Sequence, residues 1–167
     1  MAIVEIVLIN PKSPTNVGGV LRAAGCFGVN NVKYTGNRFD NAQKFATDTK
    51  QIGDTSPLNK IETLTEVQKS DTKIIAVELT DGATPLPHFT HPENAVYVFG
   101  PEDGSLQKQH LRHCDDVVYI PTHGCMNLAA TVNVLLYDRL AKSQNTNYSQ
   151  AFLLKNRDKN NRARFTR

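Results

Sequence analysis

Apolar residues in this chain come in short dense runs, separated by polar stretches that carry glycine and proline. Residues 3–9, 73–79, 96–99 and 117–120 read as strands. In 73–79 and 96–99 the apolar positions run on without alternation, as in strands buried on both faces. Residues 31–34 form a shorter strand. Segments of helical period lie between them. Residues 16–27 predict a helix that tolerates Gly18 and Gly19 near its start and ends at Gly28. Residues 39–45 predict a helical turn. Helices are also expected over 62–70 and over 105–114, the latter with Leu106 and Leu111 facing the core. The longest helix spans 126–140, with an apolar stripe of Leu128, Val132, Leu135, Leu136 and Leu140. Residues 47–58 are polar without a clear period, and 85–92 read as a loop. Strands alternating with helices predict an α/β fold, a mostly parallel sheet with helices on both faces.

Length and composition narrow this picture. A chain of 167 residues with 40% hydrophobic content suits one domain with its own core. No apolar run reaches membrane-spanning length, so no membrane partner is expected. Residues 1–9 lack a basic start, contain Glu5 and stop at Asn10-Pro11. They read as a buried strand rather than an export signal, which favours a cytoplasmic protein. Cys26, Cys114 and Cys125 form no CxxC pair, and Cys26, inside an apolar helix, is expected to be buried. His110 and His113 share a helix face, but no acid or cysteine pattern completes a site, so no metal is expected. The net charge is only +3. Lys155, Arg157, Lys159, Arg162, Arg164 and Arg167 crowd the end of the chain against the single Asp158, leaving the body slightly acidic. Such a tail is either a solvated, disordered extension or a contact for nucleic-acid phosphates.

Candidate chemistry gathers where predicted strands end in loops, the usual ligand position in α/β proteins. The first loop, Pro11-Lys12-Ser13-Pro14-Thr15, is no dinucleotide-binding turn, because its glycines fall one turn inside the helix. A phosphate-binding loop ending in Gly-Lys-Ser/Thr is absent, as is a G-x-S-x-G nucleophile elbow. Arg22, flanked by Leu21, Ala23 and Ala24, needs either a partner or a functional opening, unless it is an ordinary surface arginine. Glu102 follows Gly100-Pro101 at a strand end, where it serves the site or simply marks a helix entry.

Three segments in register carry a resemblance: Asn16-Val17-Gly18-Gly19-Val20-Leu21-Arg22-Ala23, then Val98-Phe99-Gly100-Pro101-Glu102-Asp103-Gly104, then Ile120-Pro121 with Met126-Asn127-Leu128-Ala129-Ala130-Thr131-Val132. Together they resemble the TrmH-like (SpoU) branch of the SPOUT RNA methyltransferases, over nearly the whole chain. The length resembles minimal members without an added RNA-binding domain, including tRNA wobble-position enzymes. The resemblance implies a methyltransferase domain over 1–154 with a C-terminal trefoil knot, followed by a basic tail over 155–167. It implies methyl transfer from S-adenosylmethionine to a ribose 2′-hydroxyl of RNA, with tRNA first, rRNA as runner-up, and a homodimer. The cofactor-binding positions it implies are Leu79, Thr80, Phe99, Gly100, Pro101, Glu102, Gly104, Ile120, Pro121, Met126, Asn127 and Leu128. The implied catalytic residues are Arg22, Asn16, Glu102 and Asn127. Arg22 would contact phosphate and stabilise the developing alkoxide, since a guanidinium stays charged and is a poor base. Related enzymes usually carry serine where this chain has Cys125, a weaker hydrogen-bond donor. A non-catalytic RNA-binding protein that keeps the fold, and a different small-molecule enzyme using the same pocket, are the alternatives.

Overall fold

A computed structural model describes residues 2–45, 58–143, 148–158, 160, 163 and 165. Its strands are β1 (Val4–Leu8), β2 (Asn31–Tyr34), β3 (Leu58–Lys60), β4 (Lys73–Val77), β5 (Thr84–Pro85), β6 (Ala95–Phe99) and β7 (Asp116–Tyr119). Its helices are α1 (Pro14–Phe27), α2 (Arg38–Phe45), α3 (Lys108–Leu111), α4 (Leu128–Lys142) and α5 (Gln150–Asn156). The strands form one sheet in the order β3-β2-β1-β6-β4-β7-β5, and every pairing is parallel. Most of the polar segment 47–58 lies outside the described residues.

The apolar runs explain the centre of the sheet. Strands β1 and β6 are buried along their whole length, and β4 everywhere but Lys73. On one face Ile6, Leu8, Tyr97 and Phe99 pack with Val17, Val20 and Ala24 of α1 and with Val132, Leu135 and Leu136 of α4. On the other, Val7, Val96 and Val98 meet Leu64, Val67 and Leu106. Burying each such side chain contributes about 1.5–3 kcal/mol. Glu5, in the middle of β1, is 2% exposed. Its carboxylate accepts from Lys33 Nζ at 2.6 Å and Lys69 Nζ at 3.2 Å, the pairing a buried charge requires. Burial pushes its pKa up, and the two lysines more than reverse this, leaving it lowered.

Several boundaries differ from the sequence reading. The second face is thinly covered, because the helix expected over 62–70 is a 3₁₀ turn, Leu64–Val67, and the one expected over 105–114 shrinks to α3. β4 stops at Val77, leaving Leu79 77% exposed. The loop over 85–92 contains the last residue of β5 and a 3₁₀ turn, Leu86–His88. α1 starts earlier than expected, at Pro14, where a proline suits the first turn, behind a Ser13 cap. α4 starts at Leu128 behind Asn127, and Leu140 drops out of its buried stripe at 37% exposure. Cys26 is exposed, because the buried stripe of α1 runs through Val17, Val20, Leu21 and Ala24 and misses position 26. Gly28 does end α1, in the left-handed conformation at φ 68°. Among the described residues no helix is long and apolar enough to cross a membrane.

Candidate active site

Because the sheet is parallel, strand C-termini share one edge. β1, β6, β4 and β7 are consecutive neighbours there, so the loops after them emerge side by side. The segments around Asn16, Glu102 and Asn127, far apart in sequence, are brought together by this strand order.

Glu102 is the hub. Its carboxylate accepts from the backbone N–H of Lys12 at 2.9 Å and of Ser13 at 3.1 Å, and from the Asn16 amide at 3.1 Å. Burial raises its pKa. Hydrogen bonds from its own backbone N–H and from Lys12, Asn16 and Ser13 outweigh that effect and hold it below the ordinary carboxylate range. Asn16 in turn accepts from the Asn127 amide at 2.7 Å. The Asn127 side-chain oxygen caps α4, accepting from Ala129 N–H at 2.9 Å and Ala130 N–H at 3.4 Å. One hydrogen-bonded chain therefore ties the entry of α1, the loop after β6 and the start of α4. The helices also approach closely: a Cβ added at Gly19 would lie 2.7 Å from the Ala129 Cβ, so this glycine serves helix packing.

Beside the hub, Asp103 receives both terminal nitrogens of Arg38, at 2.9 and 2.8 Å, and Lys12 Nζ at 3.3 Å. The Arg38 hydrogen bond comes first, with partial burial opposing it and Lys12 adding to it, and the Asp103 pKa falls to about 2.

A cavity of about 530 Å³ opens between the loops after β4, β6 and β7. Of the positions expected to hold a cofactor, Leu79, Phe99, Gly100, Pro101, Glu102, Gly104, Ile120, Met126 and Leu128 line it. Thr80 and Pro121 do not, and Asn127 acts from behind as the cap of α4. The sequence reading missed Glu78, Ser105, Tyr119 and Thr131, all on the wall. An acid directly after the buried run of β4 was the available signal for Glu78. Cys125 lines the cavity beside His123, and both are exposed. Arg22 is not on the wall. It stands exposed on α1, and among the described residues its side chain has no hydrogen-bond or ion-pair partner. No described group of three or more His, Cys, Asp or Glu residues is placed to hold a metal ion.

Comparison with known proteins agrees with this arrangement. Residues 3–137 match the SpoU rRNA Methylase family. The chain is similar to the tRNA (cytidine-2′-O-)-methyltransferase TrmJ of Methanocaldococcus jannaschii, with 27% identity covering 83% of this chain and 68% of the relative. Its fold resembles a structure described as giving insights into the 2-OH methylation of C/U34 on tRNA, with a TM-score of 0.67, 21% identity, and coverage of 84% of this chain and 91% of the other. It also resembles the SpoU methyltransferase AviRb of Streptomyces viridochromogenes in complex with the cofactor AdoMet, with a TM-score of 0.67, 18% identity, and coverage of 84% and 57%. The chain spans 55–68% of the length of the curated relatives it matches.

Proposed function

Because the chain belongs to the SpoU methylase family, we propose that it transfers a methyl group from S-adenosylmethionine to a ribose 2′-hydroxyl of RNA, with tRNA as the first-choice substrate. The observation that carries this reading is the Glu102–Asn16–Asn127 chain, which joins all three sequence segments and reaches the cavity wall at Glu102. The cavity fits the cofactor: its volume falls in the range of small-molecule sites, and Leu79, Phe99, Ile120 and Met126 share its wall with Gly100, Gly104 and Gly124. When bound, S-adenosylmethionine supplies an electrophilic methyl group. The protein's own part is to fix the loops through Glu102, Asn16 and Asn127 and to hold the RNA. Arg22, charged and without a side-chain partner among the described residues, contacts an RNA phosphate and stabilises negative charge developing on the 2′-oxygen. The similarity to tRNA enzymes supports tRNA, while the family description favours rRNA as the second reading.

The same reading includes a homodimer, supported by exposed apolar side chains on α4 (Val134, Tyr137) and α5 (Phe152, Leu153, Leu154). It includes a C-terminal trefoil knot, supported by the strand order, in which the chain passes from β5 across β4 to β6 and back to β7. It also includes a cytoplasmic location and phosphate contacts from the basic tail, whose Lys159, Arg162, Arg164 and Arg167 lie outside the described residues. The test is incubation with labelled S-adenosylmethionine and separate tRNA and rRNA pools, followed by digestion to nucleosides. A 2′-O-methylated nucleoside from the tRNA pool is expected. Label in rRNA alone would move the substrate to rRNA. RNA binding without measurable S-adenosylmethionine binding would favour a non-catalytic RNA-binding protein.

A further inference from the structure

Glu78 has no part in the sequence segments that define the site, yet it joins two walls of the cavity. It is the first residue beyond β4, and its backbone N–H donates to Val118 O at 2.9 Å, which pins its main chain to β7. From there the side chain crosses to the loop after β6. One carboxylate oxygen accepts from Leu106 N–H at 2.7 Å, and the other from Leu79 N–H at 3.1 Å. Leu106 is itself anchored, its side chain 5% exposed in the core on the thinner face of the sheet. The carboxylate is therefore a brace between a rigid strand end and a rigid core residue, with both cavity-lining loops hung from it.

Gly100 supplies independent support. A Cβ built there would lie 3.3 Å from Leu106 N and 3.4 Å from the Glu78 oxygen that Leu106 binds. The brace runs directly against the Gly100 backbone, so a Cβ there would push on it by a few tenths of an ångström, and glycine gives clearance rather than an unusual φ. Glu102 also lines the cavity, but its carboxylate is turned to Lys12, Ser13 and Asn16. Glu78 and Glu102 thus divide the work. One fixes the loop after β6 against α1, the other fixes it against β4.

We propose that Glu78 is a positioning residue that sets the width of the cofactor cavity by holding the loop after β6 to the end of β4. The proposal rests on the reading of this cavity as the S-adenosylmethionine site. It acts through backbone amides, so it governs the shape of the site and not the charge of the ligand.

The test uses the full chain and the variants Glu78→Ala and Glu78→Gln, with Gly100→Ala as the wedge from the other side. Amide hydrogen exchange by NMR reads the brace without any ligand. The Leu106 N–H should exchange at least about tenfold faster in Glu78→Ala than in wild type, as a charge-assisted hydrogen bond of this kind implies. Calorimetric affinity for S-adenosylmethionine and for S-adenosylhomocysteine should fall together by about tenfold in Glu78→Ala and Gly100→Ala. In Glu78→Gln, which keeps one acceptor, the fall should be smaller. In turnover, KM for the cofactor should rise while kcat and KM for RNA hold. Unchanged Leu106 exchange in a folded Glu78→Ala protein would overturn the brace, and cofactor affinity at the wild-type value in Gly100→Ala would overturn its role in the cavity. A loss confined to S-adenosylmethionine would also overturn the positioning role, by making Glu78 a direct contact for the sulfonium charge. A wild-type protein that bound neither compound would instead overturn the cofactor reading, with the exchange measurement still deciding the brace.

Discussion

Helix α4 is held by polar groups at both ends, and the two sets of contacts differ in kind. At its start, Asn127 caps the helix and reaches Asn16 and Glu102 in a site open to solvent. At its end, Arg139 donates to the carbonyls of Pro92 at 2.6 Å and Glu93 at 2.6 Å and to the Tyr97 hydroxyl at 3.0 Å. Tyr97 is fully buried in β6 and also meets His91 Nδ1 at 2.6 Å. The other ring nitrogen of His91 faces Asp138 at 2.9 Å, and Lys142 closes the set on Asp138 at 2.7 Å. Burial, chiefly, lifts the Tyr97 hydroxyl to about 12 and lowers the His91 pKa, although Asp138 pulls the imidazole the other way. The buried end spends its hydrogen-bonding capacity on the protein itself, which rigidifies the helix. The open end keeps capacity for a ligand. Stability should therefore reside at one end of α4 and function at the other, on a single rigid element.

The sharpest way to break that division is to set a proposed functional residue against one at the buried end. Arg22→Ala, on α1, should lower kcat by about 10²–10³ if it stabilises the developing oxyanion as proposed. Its melting temperature should stay at the wild-type value, because Arg22 has no described side-chain partner to lose. A matching fall in stability would erase the distinction. Arg139→Ala, at the buried end, leaves the Tyr97 hydroxyl and two carbonyls without their donor. It should cost about 3 kcal/mol in urea denaturation. Any cofactor affinity that survives in the folded fraction should be that of wild type. Asn127→Ala tests the boundary between the two roles. Loss of the α4 cap should cost about 1 kcal/mol, and methyl transfer should fall further than that stability loss accounts for.

The smallest effect is the pH dependence of His91. Its pKa is lowered in the fold, chiefly by burial, so the native state favours the neutral ring. The unfolded chain takes up the proton near pH 6.5. The contribution of His91 is complete above that pH and is lost as pH falls from 6.5 through the lowered native value. His91→Gln should flatten the stability profile across that window, measured by denaturation at fixed temperature. An unchanged slope would assign the acid sensitivity to other groups.

How far the sequence could be read varied with the kind of interaction. The continuous apolar runs of β1, β4 and β6 announced buried parallel strands, and Gly28 announced the end of α1. Glu102, Asn16 and Asn127 were found through their segments, and the structure joins all three. Glu78 and the Arg38–Asp103 pair were not found. Each is a charged residue whose partner lies 28 or 65 positions away, and the only local signal was for Glu78, an acid directly after the apolar run of β4. The expected helix over 105–114 also failed at both ends: only Lys108–Leu111 is α-helical.

The sequence by itself determined which stretches must be buried, where α1 ends, and which residues the site has at its disposal. Those properties follow from hydrophobic transfer, side-chain period and backbone freedom, all of which act over a few residues. Only the tertiary structure decided that β1, β6, β4 and β7 lie side by side, and hence that three separated loops make one cavity. It also decided that Glu78, rather than a residue of the recognised segments, spans two of them. Strand order is a global outcome of packing apolar faces. The hydrogen bonds that shape the site form only between groups which that packing has already brought within 3 Å or so of each other.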